Sequence, residues 1–333
     1  MNLSRDEIID LLNSEGEAAA RLFERAAAVR DKTIGNGIYL RGLIEYSNLC
    51  VKNCLYCGIR RDAECERYTL TRGQVLAAAE HAWRERFGSV VLQGGENRLS
   101  AYIADIERLV KDIKTLSRGE LGITLSLGEQ SLDTYRRWFA AGAHRYLLRI
   151  ETSNRALFER IHPAEDGEFD TRLQALHDLR AAGYQVGTGV MIGLPGQTVE
   201  DLADDLLFMR ALDIDMCGMG PYIPSAGTPL AAQAVWPAER RMNLTLNMIA
   251  VLRLLMPDIN IAATTALQAI VPDGRLRAVA AGANVIMPNL TPDALRKNYS
   301  LYDNKPLSFD TKILEANIRY GEWGDSKHFF KND

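Results

Sequence analysis

Residues 71–93, TRGQVLAAAEHAWRERFGSVVLQ, read as a long helix from Thr71 to near Gly88 that runs into a short apolar strand, Ser89–Gln93. The same alternation extends in both directions. Strand-like stretches fall at Tyr39–Tyr46, Ile123–Leu127, Arg145–Glu151, Gln185–Ile192, Met216–Gly220, Ile259–Thr265 and Val285–Pro288. Helical stretches lie between them, among them Ala101–Leu116, Val199–Ala211 and Ala238–Leu255. Repeated strand-then-helix units imply a parallel sheet with crossover helices. Eight such units predict an α/β fold, a complete (βα)8 TIM-type barrel. An open doubly wound sheet is the alternative. Ser4 with Glu7 three residues on forms a capping box before the first of two N-terminal helices. Gly35-Asn36-Gly37 then breaks the chain. The expected organisation is an N-terminal helical extension over residues 1–36 and a barrel over residues 37–333, a single structural unit.

The first strand feeds Glu45-Tyr46-Ser47-Asn48-Leu49-Cys50-Val51-Lys52-Asn53-Cys54-Leu55-Tyr56-Cys57-Gly58, with the spacing C-x3-C-x2-C. Three thiolates this close can wrap one [4Fe–4S] cube and leave its fourth iron without a protein ligand. Such an open position is where a chelating substrate binds. Two other readings use the same residues. A structural zinc site needs four ligands, and Cys65 is the nearest further thiol. Cys54 and Cys57 alone make a C-x2-C redox pair. Cys65 and Cys217 otherwise read as a loop thiol and a small buried hydrophobe.

Composition narrows the function. The chain has 333 residues, 47% hydrophobic and 25% charged, with net charge −4 and pI near 5.8. No basic stripe points to nucleic acid. No apolar run is long enough for a bilayer span. The N-terminus lacks the basic start and apolar core of a signal peptide. A cytoplasmic location, with reduced thiols, is therefore expected. Five cysteines, three of them within eight residues, do not suit a disulfide framework.

The cysteine spacing, with an aromatic residue before the last cysteine, resembles the signature of the radical S-adenosylmethionine (SAM) superfamily. A narrower likeness rests on Arg41–Asn48, Cys54–Gly58, Thr124–Glu129, Arg145–Arg149, Gly193–Thr198, Ala263–Ala266 and Gly282–Asn289. These stretches resemble the HydE family of [FeFe]-hydrogenase maturases, in the clan that also holds biotin synthase and methylornithine synthase. The likeness runs from about Gly37 to Tyr302. Two departures stand out. No cysteine follows Cys217, which excludes the second C-terminal cluster of some members. Ile150 stands where some relatives have histidine.

The resemblance implies that Cys50, Cys54 and Cys57 hold the cluster, and that SAM is the second cofactor. It places the amino group of SAM at Gly94-Gly95-Glu96, the ribose at Glu151, the methionyl carboxylate at Arg172, and further contacts at Ser126 and Tyr56. It places Arg145, Thr264, Thr265, Met287, Tyr299 and Tyr302 around the substrate. The implied reaction is reductive cleavage of SAM to a 5′-deoxyadenosyl radical that acts on a cysteine-bound Fe(CO)2(CN) precursor during H-cluster assembly. The expected partners are a small-molecule or organometallic substrate, other hydrogenase maturases, and an electron donor such as a ferredoxin. Two competing readings are a methylornithine synthase acting on an amino acid and a non-catalytic iron–sulfur carrier.

Overall fold

The structure, a computed structural model, describes residues 2–166, 168–306 and 317–326. Its strands, in chain order, are β1 (Tyr39–Ser47), β2 (Ser89–Gly94), β3 (Gly122–Ser126), β4 (Arg145–Leu147), β5 (Gln185–Thr188), β6 (Met191–Ile192), β7 (Met216–Cys217), β8 (Gly220–Pro221), β9 (Asn260–Ile261) and β10 (Val285–Ile286). Eight of them form one parallel sheet in the order β10-β1-β2-β3-β4-β5-β7-β9. Its two ends meet through a parallel bridge between Ala262 and Val285 and the bond from Asn284 N to Ile261 O at 2.9 Å. The result is the expected eight-stranded α/β barrel, not an open sheet.

Each stave follows from its sequence. In β2, Val90, Val91 and Leu92 are all buried, because a parallel strand is covered on both faces. The helix Ser100–Leu116 buries Tyr102, Ile106, Leu109, Val110 and Ile113, one stripe at helical spacing, against the barrel. Thr71 and Thr198 each close a capping box that starts the next helix after a loop.

Several staves are shorter than their apolar runs predict. The run Arg145–Glu151 forms a ladder only over Arg145–Leu147. Beyond it, the Thr188 hydroxyl donates to Leu148 O at 2.9 Å and accepts from Ile150 N at 3.0 Å, replacing ladder bonds with side-chain bonds. The run Gln185–Ile192 splits into β5 and β6, and Met216–Gly220 into β7 and β8. β6 and β8 pair separately at the rim. The run Ile259–Thr265 ends early because Thr264 sits at the N-cap of the helix Thr265–Ile270.

Two further segments frame the barrel. The N-terminal helices Arg5–Leu12 and Gly16–Thr33 pack outside it, where Asn247 Nδ2 donates to the carbonyls of Leu12 (2.8 Å) and Ser14 (3.0 Å). At the N-terminal mouth, residues 317–326 cross the opening. Ile318 bridges Ile38, Trp323 stacks on His144 with centroids 4.5 Å apart, and Asn260 Nδ2 donates to Gly324 O at 2.6 Å. Among the described residues, no helix is long and apolar enough to cross a membrane.

Candidate functional site

At the C-terminal ends of the staves, where barrel active sites form, the fold encloses a cavity of about 300 Å³. Cys50, Cys54 and Cys57 all line it. Their loop is held from outside. Arg67 donates to the carbonyls of Asn48 (2.6 Å), Ile59 (2.9 Å) and Arg60 (2.6 Å), and Asn48 Nδ2 reaches Glu66 O and Asn298 O. From inside, Val51 N donates to Glu96 O at 2.9 Å and Glu96 N to Cys50 Sγ at 3.3 Å. Gly95 has to be glycine: a Cβ there would lie 2.2 Å from Leu49 O and 2.7 Å from Cys50 Cβ. The glycine pair after β2 therefore packs the cysteine loop onto the barrel.

The thiol arrangement suits a cluster. None of the three thiols is in a disulfide, and all line one cavity. Among the described residues, no three His, Cys, Asp or Glu side chains converge as ligands of one metal ion. Burial pushes the Cys54 and Cys57 thiols up, Cys57 to about 12, so a thiolate there needs the compensating charge of bound iron. Cys65 lies outside the cavity, and Cys217 is buried with Met209 Sδ at 3.6 Å.

Beside the cysteines stands a wall of buried charge. Glu129 Oε1 accepts from Arg172 Nε at 2.6 Å, and its Oε2 accepts from Lys52 Nζ and Arg98 Nη2, each at 3.0 Å. Glu96 Oε2 accepts from Glu129 N at 2.8 Å, and Glu96 Oε1 lies 2.7 Å from Arg98 and 3.6 Å from Lys52. Gly128, with φ +75°, lets this pair close, since a Cβ there would come 2.5 Å from Glu96. The two buried cations, Lys52 and Arg172, balance the two carboxylates, while Arg98 reaches them from the solvent side with its side chain half-exposed. Burial, then the Glu129 charge, raises the Glu96 carboxyl.

Glu151 also lines the cavity, buried, non-glycine and left-handed at φ 67°. A residue held there is strained by about 1–3 kcal/mol, which marks functional sites. Its backbone is tied to Gly189 O and Met191 N, each at 3.0 Å, and its carboxylate lies 3.0 Å from Arg149. Burial raises that carboxyl, with Arg149 and Arg172 partly offsetting it. Tyr56 lines the cavity with its hydroxyl 3.2 Å from His162 Nε2, and Ser126 lines it from the end of β3.

The far half of the cavity is lined by Thr264, Thr265, Met287, Tyr299 and Tyr302, all expected there. Thr264 Oγ1 donates to Met219 O at 3.1 Å, and Arg275 Nη2 donates to Thr265 Oγ1 at 2.9 Å. Arg145 is a correction. It does not line the cavity but lies fully buried near the opposite mouth, donating to Gln185 Oε1 (3.0 Å), Trp323 O (2.6 Å) and Asp325 Oδ1 (3.0 Å). As the first residue of β4 it belongs to the N-terminal end of its stave.

Sequence reading missed Lys52, Glu129, Arg149, Glu45 and Lys305, which belong to the cavity or its charged wall. Glu45 and Lys305 form a buried ion pair, and Lys305 Nζ also donates to Tyr299 O at 2.7 Å. Charged residues in stretches of apolar strand, such as Glu45 and Arg149, were the available signal.

The chain is similar to known proteins in sequence and fold. The family model described as the radical SAM superfamily matches residues 44–209. The chain is 43% identical to the [FeFe] hydrogenase maturase subunit HydE of Thermotoga maritima, covering 93% of this chain and 90% of that protein. It is 28% identical to the 3-methylornithine synthase of Methanosarcina acetivorans, covering 90% and 83%. Among solved structures, methylornithine synthase (PylB) superposes with a TM-score of 0.82 at 27% identity, covering 95% of this chain and 91% of that one.

Proposed function

This chain belongs to the radical SAM superfamily, in the HydE family, and from that footing we propose that it is a hydrogenase maturase acting on a cysteine-bound Fe(CO)2(CN) precursor of the H-cluster. It is an enzyme, and its cofactors are those of the superfamily, a [4Fe–4S] cluster and SAM. When bound, the reduced cluster supplies one electron to the SAM sulfonium, and C–S cleavage furnishes a 5′-deoxyadenosyl radical.

The carrying observation is that one cavity joins the cysteine loop to the polar pocket of Thr264, Thr265 and Tyr302. In this reading Cys50, Cys54 and Cys57 hold the cluster. Glu96 offers its carboxylate, and the Gly94-Gly95 backbone a close approach, to the SAM ammonium. Arg172 presents its planar fork to the carboxylate, a match lysine lacks. Glu151 takes the ribose hydroxyls, while Tyr56 and Ser126 complete the wall. Leu147, Leu148 and Met287 add apolar lining to the cavity, which disfavours water beside a radical. Other maturases and a low-potential donor such as a ferredoxin are the proposed partners, in an anaerobic cytoplasm.

The test uses air-free reconstituted protein. With reductant and SAM it should form 5′-deoxyadenosine, and it should restore activity to a hydrogenase maturation mixture lacking HydE. An intact cluster without 5′-deoxyadenosine would instead identify an iron–sulfur carrier. Cleavage that leads to rearrangement of an amino acid, with no maturation, would identify a methylornithine synthase.

Tyr302 separates the two halves of the cavity functionally. Its hydroxyl is mostly buried, and burial raises it, so it stays a neutral donor. Tyr302→Phe should slow maturation by about ten- to a hundredfold, the worth of a hydrogen bond to a charged group. SAM affinity should stay within about twofold, because Tyr302 is not among the proposed SAM contacts. Equal losses in both assays would make it a packing residue.

A further inference from the structure

Behind Glu151 lies a buried acid that the mechanism leaves unused. Asp205, on the helix Val199–Ala211, is 0% exposed. Its Oδ1 accepts from Ser153 N at 2.5 Å and from the Ser153 hydroxyl at 2.7 Å. Its Oδ2 is buried with no hydrogen-bond partner. One helical turn earlier, Asp201 Oδ1 accepts from Asn154 Nδ2 at 2.7 Å. Ser153 and Asn154 follow the left-handed Glu151 with only Thr152 between. The chain at Glu151 is thus anchored on one side by Gly189 and Met191 and on the other by this helix.

We propose that Asp205 is a positioning residue: through Ser153 it fixes the turn that aims the Glu151 carboxylate into the cavity, and so sets the affinity for SAM. The proposal rests on Glu151 being the ribose contact. A carboxylate here is an expensive way to fill space. Burial, with Asp201 and Asp204 adding to it, pushes the carboxyl up to about 7, whereas an apolar residue would be buried without that penalty. What an apolar residue lacks is an acceptor for the two Ser153 donors. A single oxygen takes both bonds, so an amide can replace the acid.

The experiment is a double-mutant cycle on cluster-loaded protein, reading SAM affinity by equilibrium dialysis. Asp205→Ala should weaken binding about tenfold with iron content unchanged. Asp205→Asn should stay within about twofold, since its amide oxygen accepts both bonds. In a Glu151→Ala background, Asp205→Ala should add less than about twofold, because the group it positions is gone. Ser153→Ala, which removes only the hydroxyl bond, should weaken binding about threefold and provides the test if Asp205→Ala does not fold. If Glu151→Ala binds SAM normally, the ribose reading fails and takes this proposal with it. If Glu151→Ala weakens binding while Asp205→Ala has no effect, or the same effect in both backgrounds, only the proposal is overturned.

Discussion

Cys54→Ala, and equally Cys50→Ala or Cys57→Ala, is expected to strip the protein of its cluster, with iron per chain falling from about four to below about one. The brown absorbance and all 5′-deoxyadenosine formation should go with it. The reason is that each thiolate serves one corner iron and no other side chain can take over. Cys65 is outside the cavity and Cys217 is buried against Met209. Glu129 is not available either, since it is committed to Lys52, Arg98 and Arg172. Cys65→Ala and Cys217→Ala should therefore keep full iron content. If Cys65→Ala bleached the protein, the ligand assignment would be wrong.

Glu129→Ala is expected to be the most damaging change outside the cysteines. It removes the one carboxylate that touches Lys52, Arg98 and Arg172 together. Lys52 and Arg172 are about nine-tenths buried, Lys52 is left with Glu96 at the longer distance of 3.6 Å, and removing one partner of a buried pair costs about 3–5 kcal/mol. Lys52 lies inside the cysteine loop and Arg172 on the helix Phe169–Ala181, so losing Glu129 loosens cluster loop and SAM pocket together. The urea midpoint should drop accordingly, and SAM affinity should fall by at least about tenfold. Glu129→Gln should be milder, since its one amide oxygen still accepts from one side, although its NH2 then faces donors on the other. The effect has a pH signature. Burial pushes the Glu129 carboxyl up, but Arg172 and Lys52 more than offset this and leave it below the ordinary 4.5. Its stabilisation is thus fully present above that value and is lost as pH falls through the lowered native one. The gap between wild type and Glu129→Gln should be flat from neutrality to about pH 5 and close only below that. A gap that widened on acidification would contradict the network.

These residues also show what the sequence can and cannot disclose. The barrel was legible because every stave is an apolar run joined to a helix with its own stripe. The cysteines were legible because their ligand geometry is local, contained in eight residues. Glu129 was not, since its partners Lys52 and Arg172 lie 77 and 43 residues away and are joined only when the barrel closes. Arg145 was placed wrongly because a resemblance does not say which end of a stave a residue occupies. Its position as the first residue of β4 puts it at the N-terminal mouth, while Arg149, four residues later, reaches the cavity. Stave lengths were overestimated where a side chain, the Thr188 hydroxyl, takes over from the ladder.

The central claim is that three cysteines hold a cluster whose fourth iron is free to bind SAM. Low-temperature EPR of air-free, dithionite-reduced protein tests it most directly, recorded before and after SAM is added. A reduced [4Fe–4S] signal whose g values move when SAM binds is the predicted result. A cluster signal that SAM leaves unchanged at saturation, or protein that carries zinc and gives no signal, would contradict it.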